Sequence, residues 1–251
     1  PGEGERGAQE PMWRSQSADD GRSAGSGSGS AGRLPIPAPK QPNNPFRRLA
    51  GLYDHHLSLP IISTIRRQEA RVVSDVLARH ARSSDQVLEV GPGTGFYTLG
   101  LAPRVRHVLA VEDSAPMAAI LTRKLAAAGV LNVTVLNQDF LALATERRCD
   151  LGVAVGVLDY LPDPAGFVSR LCAAARRAVI LTLPQRGLWG SCFALGGRLR
   201  GTAIYRYQRS APGEWAPGWH CTVAEVGLKS RLTKGLTLVV ALERAQDAAD
   251  V

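Results

Sequence analysis

Three glycines spaced two apart, Gly91, Gly93 and Gly95, follow directly on the apolar run that holds Val87, Leu88 and Val90. Residues without a Cβ at that spacing let a ligand's polar groups lie against bare main chain. Glu89 sits inside the apolar run, where a carboxylate is costly to bury unless a cation or a hydrogen-bond donor meets it. Glu112 lies 17 residues after Gly95 at the end of a second apolar run, near the separation of roughly 20 at which an acid grips the two hydroxyls of a ribose. Gln138, Asp139 and Phe140 follow a third run, and Asp159 and Tyr160 a fourth. The chemistry suggested is capture of a nucleotide-like ligand, with polar groups beside it for a second reactant.

Those residues need strands that end together. Short apolar runs at 87–90, 107–111, 132–136, 150–155 and 178–183 read as buried parallel strands, and the stretch at 96–102 reads as a helix. In an open α/β sheet, ligands gather at the carboxyl ends of the strands, where the glycines and acids stand. A longer helix is expected over about 61–80, because Ile61, Ile62, Ile65, Val72, Val73, Val76 and Leu77 recur at helical spacing. The run at 236–242 forms a final strand with 228–233 as its partner. Pro212, Gly213, Pro217 and Gly218 interrupt the helix expected between them and strand five. The glycine spacing departs from the dinucleotide fingerprint G-x-G-x-x-G, since the third glycine comes one residue early.

The ordered series E-V-G-P-G-T-G, V-E-D-S-A-P-M (111–117), N-Q-D-F (137–140) and G-V-L-D-Y-L (156–161) resembles the class I S-adenosylmethionine-dependent methyltransferases over about residues 85–185. The resemblance implies a Rossmann-like, doubly wound, mostly parallel seven-stranded sheet with an antiparallel C-terminal strand. It also implies S-adenosylmethionine as cofactor. On it, Glu89, Gly91, Gly93 and Gly95 hold the methionine end, and Glu112 takes the ribose hydroxyls. Asp139 faces the adenine amino group with Phe140 on the ring, and Tyr53 closes over the cofactor or packs in the core. No metal is expected, because Cys149, Cys172, Cys192 and Cys221 show no C-x-x-C pair.

Composition fits one such domain. Residues 1–44 form a Gly/Ser/Pro-rich tail read as disordered, with too few large apolar groups to offset the entropy of ordering. Residues 45–251 are the methyltransferase domain, with a helical cap at 45–82 and an acceptor-side insertion at 184–220. No run approaches the roughly 20 apolar residues of a membrane span. The tail shows no apolar core of a signal peptide, and its five acids argue against a transit peptide. Scattered cysteines suit reduced thiols and a cytoplasmic setting.

The net charge of +8 belongs to the domain, since five acids and five basic residues cancel in the tail. Residues 164–213 contain no acid and eight arginines. Such a patch suits an anionic substrate, an acidic partner or peripheral contact with an anionic surface, or is a solvated arginine face. Residues 187–200 carry Leu188, Trp189, Phe193 and Leu195 with arginines at the end, which reads as a lid, an interfacial helix or a core helix.

A narrower similarity, over G-V-L-D-Y-L-P-D-P-A-G-F, T-L-P-Q-R-G-L-W and G-T-A-I-Y-R-Y (201–207), is to the magnesium-protoporphyrin O-methyltransferases. It implies a small, anionic or partly apolar acceptor methylated on oxygen. Asp159 and Tyr160 are the catalytic candidates, ahead of His55, His56 and His220. Arg186, Trp189 and Trp215 are the substrate-binding candidates; Trp215, like Trp219, either stacks on a flat acceptor or caps the core. The alternatives are an RNA adenine methyltransferase and a silent cofactor-binding scaffold. The glycine segment is similar to ribosomal RNA adenine dimethyltransferases, but G-V-L-D-Y stands where that family carries an N-L-P-Y-type element.

Overall fold

The computed structural model describes residues 60–143, 149–185, 203–226 and 237–245. Helix α1 (Pro60–His80) leads into β1 (Gln86–Val90), α2 (Phe96–Leu101), β2 (His107–Val111), α3 (Ala115–Ala127) and β3 (Val133–Leu136). Then follow β4 (Cys149–Ala154), α4 (Pro164–Ala174), β5 (Ala175–Pro184), the short α5 (Ala211–Trp215), β6 (Trp219–Val226) and β7 (Thr237–Arg244).

The seven strands run in the order β3-β2-β1-β4-β5-β7-β6. β1 to β5 are parallel, and β7 is antiparallel to both β5 and β6. This is the doubly wound, mostly parallel seven-stranded architecture expected from sequence, with its antiparallel C-terminal strand. The chain winds outward from β1 to β3, then returns to add β4 on the other side of β1. The two crossovers diverge at that point, and the loops after β1 and β4 face one another across a crevice at the strands' carboxyl ends.

Central strands read as unbroken apolar runs because both faces are covered. On one face Val73, Val76 and Leu77 of α1, Leu101 of α2, and Leu121 and Leu125 of α3 pack on Val87, Val108, Leu151 and Ile180. On the other, Phe167, Val168, Leu171 and Cys172 of α4 pack on Leu88, Val179, Leu181 and Leu183. The alternation along β5 sends Ala178 and Ile180 to the first layer and Val179, Leu181 and Leu183 to the second. Leu171 is fully buried, so truncating it to alanine would cost about 2–5 kcal/mol. α4 begins where Asp163 accepts the Gly166 N–H at 3.4 Å and Pro164 occupies the first turn.

Two expectations for the carboxyl third are corrected. The antiparallel partner of the last strand is β6, paired from Trp219↔Arg244 to Val226↔Thr237; the expected partner, 228–233, lies outside the described residues. And Pro212 does not itself break the helix: it stands in the first turn of α5, where its missing N–H costs no bond, while α5 ends after Trp215, just ahead of Pro217 and Gly218, as the sequence implies.

Candidate functional site

Gly91, Gly93 and Gly95 link β1 to α2 and all adopt positive φ, at 68°, 58° and 89°. Two of them also have no room for a side chain. A Cβ on Gly91 would lie 2.5 Å from Val157 Cγ2, and one on Gly95 would lie 2.4 Å from Leu121 Cδ1 in the core. The first distance is informative, because Val157 belongs to the loop after β4. The two loops that flank the crevice are packed directly against each other through the space the missing Cβ leaves.

Glu112, at the tip of β2, is 6% exposed. Its Oε2 accepts the Gly93 N–H at 2.9 Å and its Oε1 accepts the Ser114 N–H at 2.9 Å. The carboxylate therefore fixes the glycine loop to the start of α3, while each oxygen keeps a lone pair for a further donor. Burial pushes its carboxyl up to about 7, the two N–H bonds pull it down, and nearby Asp113 adds to the rise. Asn137, after β3, donates to the Glu112 carbonyl at 2.8 Å and holds the two strand ends together.

Glu89 is 3% exposed and its Oε2 has no hydrogen-bond partner. Burial raises its carboxyl to about 7; the neighbouring Thr98 hydroxyl, which falls short of full hydrogen-bond geometry, offsets part of this, and the charge of Glu112 adds to the rise. The Thr98 and Ser114 hydroxyls are also buried without partners. Buried polar atoms are nearly always satisfied in native proteins, and three of the four that are not, among the described side chains, surround this loop.

Asp139 is exposed and accepts the Leu141 N–H at 2.9 Å, which shapes the turn Phe140–Ala142. The Phe140 ring is 4% exposed and lies edge-on to Phe167 at 5.2 Å, so it backs this edge of the crevice from within the core. Asp159 and Tyr160 are half-buried in the turn Leu158–Tyr160 after β4. The segment 203–207 closes on that turn. Tyr205 N–H donates to the Asp159 carbonyl at 2.8 Å, Tyr207 N–H donates to Pro184 O at 2.9 Å, and the Tyr207 hydroxyl donates to Leu161 O. Burial pushes the Tyr207 phenol well above its ordinary range. Thr182, 1% exposed at the end of β5, accepts the Gly156 N–H at 2.8 Å and sets the entry to the turn.

The structure thus gathers Glu89, the three glycines, Glu112, Asp139, Asp159 and Tyr160 at one edge of the sheet. Trp215 is half-buried, with its ring edge-on to Tyr207 at 5.3 Å, and packs against the core. Tyr53, Arg186 and Trp189 lie outside the described residues, as do His55 and His56. Ser114, Thr98, Asn137, Thr182 and Tyr207 were not singled out from sequence. Ser114, Asn137, Thr182 and Tyr207 stand inside recognisable motifs, but nothing local marks Thr98.

The acid-free arginine stretch is not one patch. Arg176 and Arg177 open β5 at the far end of the sheet and pair with Asp150 at 3.4 Å and Asp85 at 2.6 Å. Arg170 donates to Leu143 O with its guanidinium over Phe140, and Arg209 pairs with Glu225. Arg186, Arg198 and Arg200 lie outside the described residues. Among the described residues no cluster of three or more His, Cys, Asp or Glu could hold a metal ion, and no helix is long and apolar enough to cross a membrane.

Residues 87–178 match a family model described as a methyltransferase domain. A protein-L-isoaspartate O-methyltransferase from Koribacter versatilis is 29% identical over 154 residues, 60% of this chain and 67% of that one. A ribosomal RNA small subunit methyltransferase A from Desulforapulum autotrophicum is 37% identical over 78 residues, 30% of this chain. That match spans only 28% of the relative's length. Among solved structures, magnesium protoporphyrin IX methyltransferase from Synechocystis, with S-adenosylhomocysteine bound, superposes with a TM-score of 0.65. It is 18% identical, over 80% of this chain and 96% of that one, a likeness of fold.

The cofactor of this family presents an ammonium, a sulfonium and two ribose hydroxyls, all cations or donors. Two buried carboxylates, one with an orphaned oxygen, beside side-chain-free main chain are their complement. Sequence model, strand order and the chemistry of the crevice point the same way: residues 87–178 match a methyltransferase-domain model, and the sheet has the fold of the class I S-adenosylmethionine-dependent methyltransferases.

Proposed function

We propose that the protein transfers the methyl of S-adenosylmethionine to a small, anionic or partly apolar acceptor, with oxygen as the favoured methylated atom. One observation carries the reading: the glycine loop, with the orphaned Glu89 carboxylate behind it, packs through Val157 against the turn that bears Asp159 and Tyr160. A cofactor held by one loop and an acceptor held by the other would meet across that contact. The cofactor supplies a methyl already activated on a sulfonium, so an acceptor lone pair displaces it in line and leaves a neutral thioether.

The chain's task is then positioning, which supplies about 7–11 kcal/mol of barrier reduction in well-oriented reactions. Glu89 and residues 91–95 would hold the methionine end, Glu112 the ribose, and Asp139 with Phe140 behind it the adenine. Tyr53 would close over the cofactor. Asp159 and Tyr160 would touch the acceptor, with Arg186, Trp189 and Trp215 on its far side. A carboxylate acceptor needs no base; a hydroxyl needs one, and Asp159 would take that proton. The free cysteines Cys149, Cys172 and Cys221 suit a reducing, cytoplasmic setting.

The direct test is to identify ligands that copurify with the protein, then to offer candidate acceptors with methyl-labelled cofactor. Asp159→Asn should lower turnover at least tenfold with cofactor affinity unchanged. Cofactor binding without transfer to any acceptor would favour a scaffold.

A second reading, methylation of an RNA adenine, draws on the 37% identity with the ribosomal RNA enzyme. G-V-L-D-Y in place of an N-L-P-Y-type element weighs against it. Tight, steeply salt-dependent binding to structured RNA would favour it over a small acceptor.

A further inference from the structure

Among the described residues that frame Glu89, the crevice holds two buried acids and no base. Residues 86–101, 108–118 and 149–163, which supply β1, α2, the tip of β2, the first turn of α3 and the turn after β4, contain no Lys, Arg or His. The charge that acts on Glu89 is that of Glu112. The loop after β2 adds Asp113, which is exposed, and the turn after β4 adds Asp159, which is half-buried. β4 reaches the site with Val153 and Ala154, while α2 brings Tyr97 and the unpartnered Thr98 hydroxyl. On α1, Arg67 and Arg71 are exposed, and Glu69 is buried with an interaction of its own.

An arrangement of this kind cannot hold two full negative charges cheaply. Desolvation favours the neutral form of Glu89, and the charge of Glu112 adds to it. The orphaned Glu89 Oε2 is the place where neutralisation would otherwise have to come from outside. Resting on the cofactor reading above, we propose that cofactor capture is coupled to proton release: Glu89 retains a proton in the free protein near neutral pH, and the ligand's ammonium displaces it. The step balances as a buried carboxylic acid plus an ammonium giving a carboxylate–ammonium pair, with one proton passed to solvent. Burial that raises the Glu89 carboxyl to about 7 places the exchange in the physiological range.

The test titrates the full chain with S-adenosylhomocysteine, whose amino group keeps its proton between pH 6 and pH 8. Calorimetry in phosphate and in Tris, buffers of very different ionisation enthalpy, counts the protons. The expected result is release of about half a proton at pH 7 and nearly one at pH 6, with affinity falling about tenfold from pH 8 to pH 6. Glu89→Gln should flatten that pH dependence and make the heats in the two buffers converge. Tight binding by the unaltered protein with equal heats in both buffers at every pH would overturn the proposal. Absence of binding at any pH would instead overturn the cofactor reading on which it rests.

Discussion

Asp85 and Glu89 are four residues apart at the two ends of one strand, equally buried at 3% exposure, and the fold treats them in opposite ways. Asp85 receives the Arg177 guanidinium at 2.6 Å and the Arg82 N–H at 2.8 Å. Among the described residues Glu89 meets no cation, and it keeps one oxygen unpartnered. A buried carboxylate without a cation is expensive, so a fold retains one where a ligand supplies the missing charge. At the amino end of the sheet charge is neutralised within the chain and serves stability; at the carboxyl end it is left for something that arrives.

Removing each acid should therefore have different consequences. Asp85→Ala strands the Arg177 charge and should lower unfolding free energy by about 3 kcal/mol in chemical denaturation, while S-adenosylhomocysteine affinity, measured under native conditions, changes less than threefold. A comparable loss of affinity would erase the distinction between the two ends.

Glu112→Ala should weaken S-adenosylhomocysteine binding about a hundredfold, or ~2.7 kcal/mol. Adenine alone, which lacks the ribose, should lose far less. Equal losses for both ligands would assign Glu112 to loop architecture rather than ribose recognition.

Glu89→Gln should stabilise the ligand-free protein. The folded carboxyl stands at about 7 against an ordinary value of 4.5, so the native state binds more protons than the unfolded chain between those limits. The unaltered protein thus loses stability as pH rises from about 4.5 to 7, and the amide does not titrate. The gain should reach on the order of 2 kcal/mol at pH 8 and vanish near pH 4.5, read as a difference in melting temperature across that range.

Tyr207→Phe should produce the smallest effect, about 1 kcal/mol of stability from the lost bond to Leu161 O. If the clasp positions the turn after β4, turnover should fall while cofactor affinity stays fixed.

The parts of the site that were legible in sequence are those where local chemistry leaves few options. A glycine whose Cβ would strike Leu121 or Val157 can be little else, and an acid closing an apolar strand is conspicuous. The hairpin partner is ambiguous in sequence because 219–226 and 228–233 both offer strand-compatible residues. Their choice is made by the register with β7, in which Trp219 meets Arg244. The arginine stretch misled for a related reason: adjacency along the chain says nothing about partners 26 and 92 residues away at Asp150 and Asp85.

The sequence by itself determined the strand–glycine–helix crossover, the acids at the strand tips and the order of the elements, because each is dictated by steric and burial rules acting over a few residues. Only the tertiary structure decided which buried acids are paired and which are left open. That depends on charges brought together from distant strands, and on how completely the surrounding core excludes water from them.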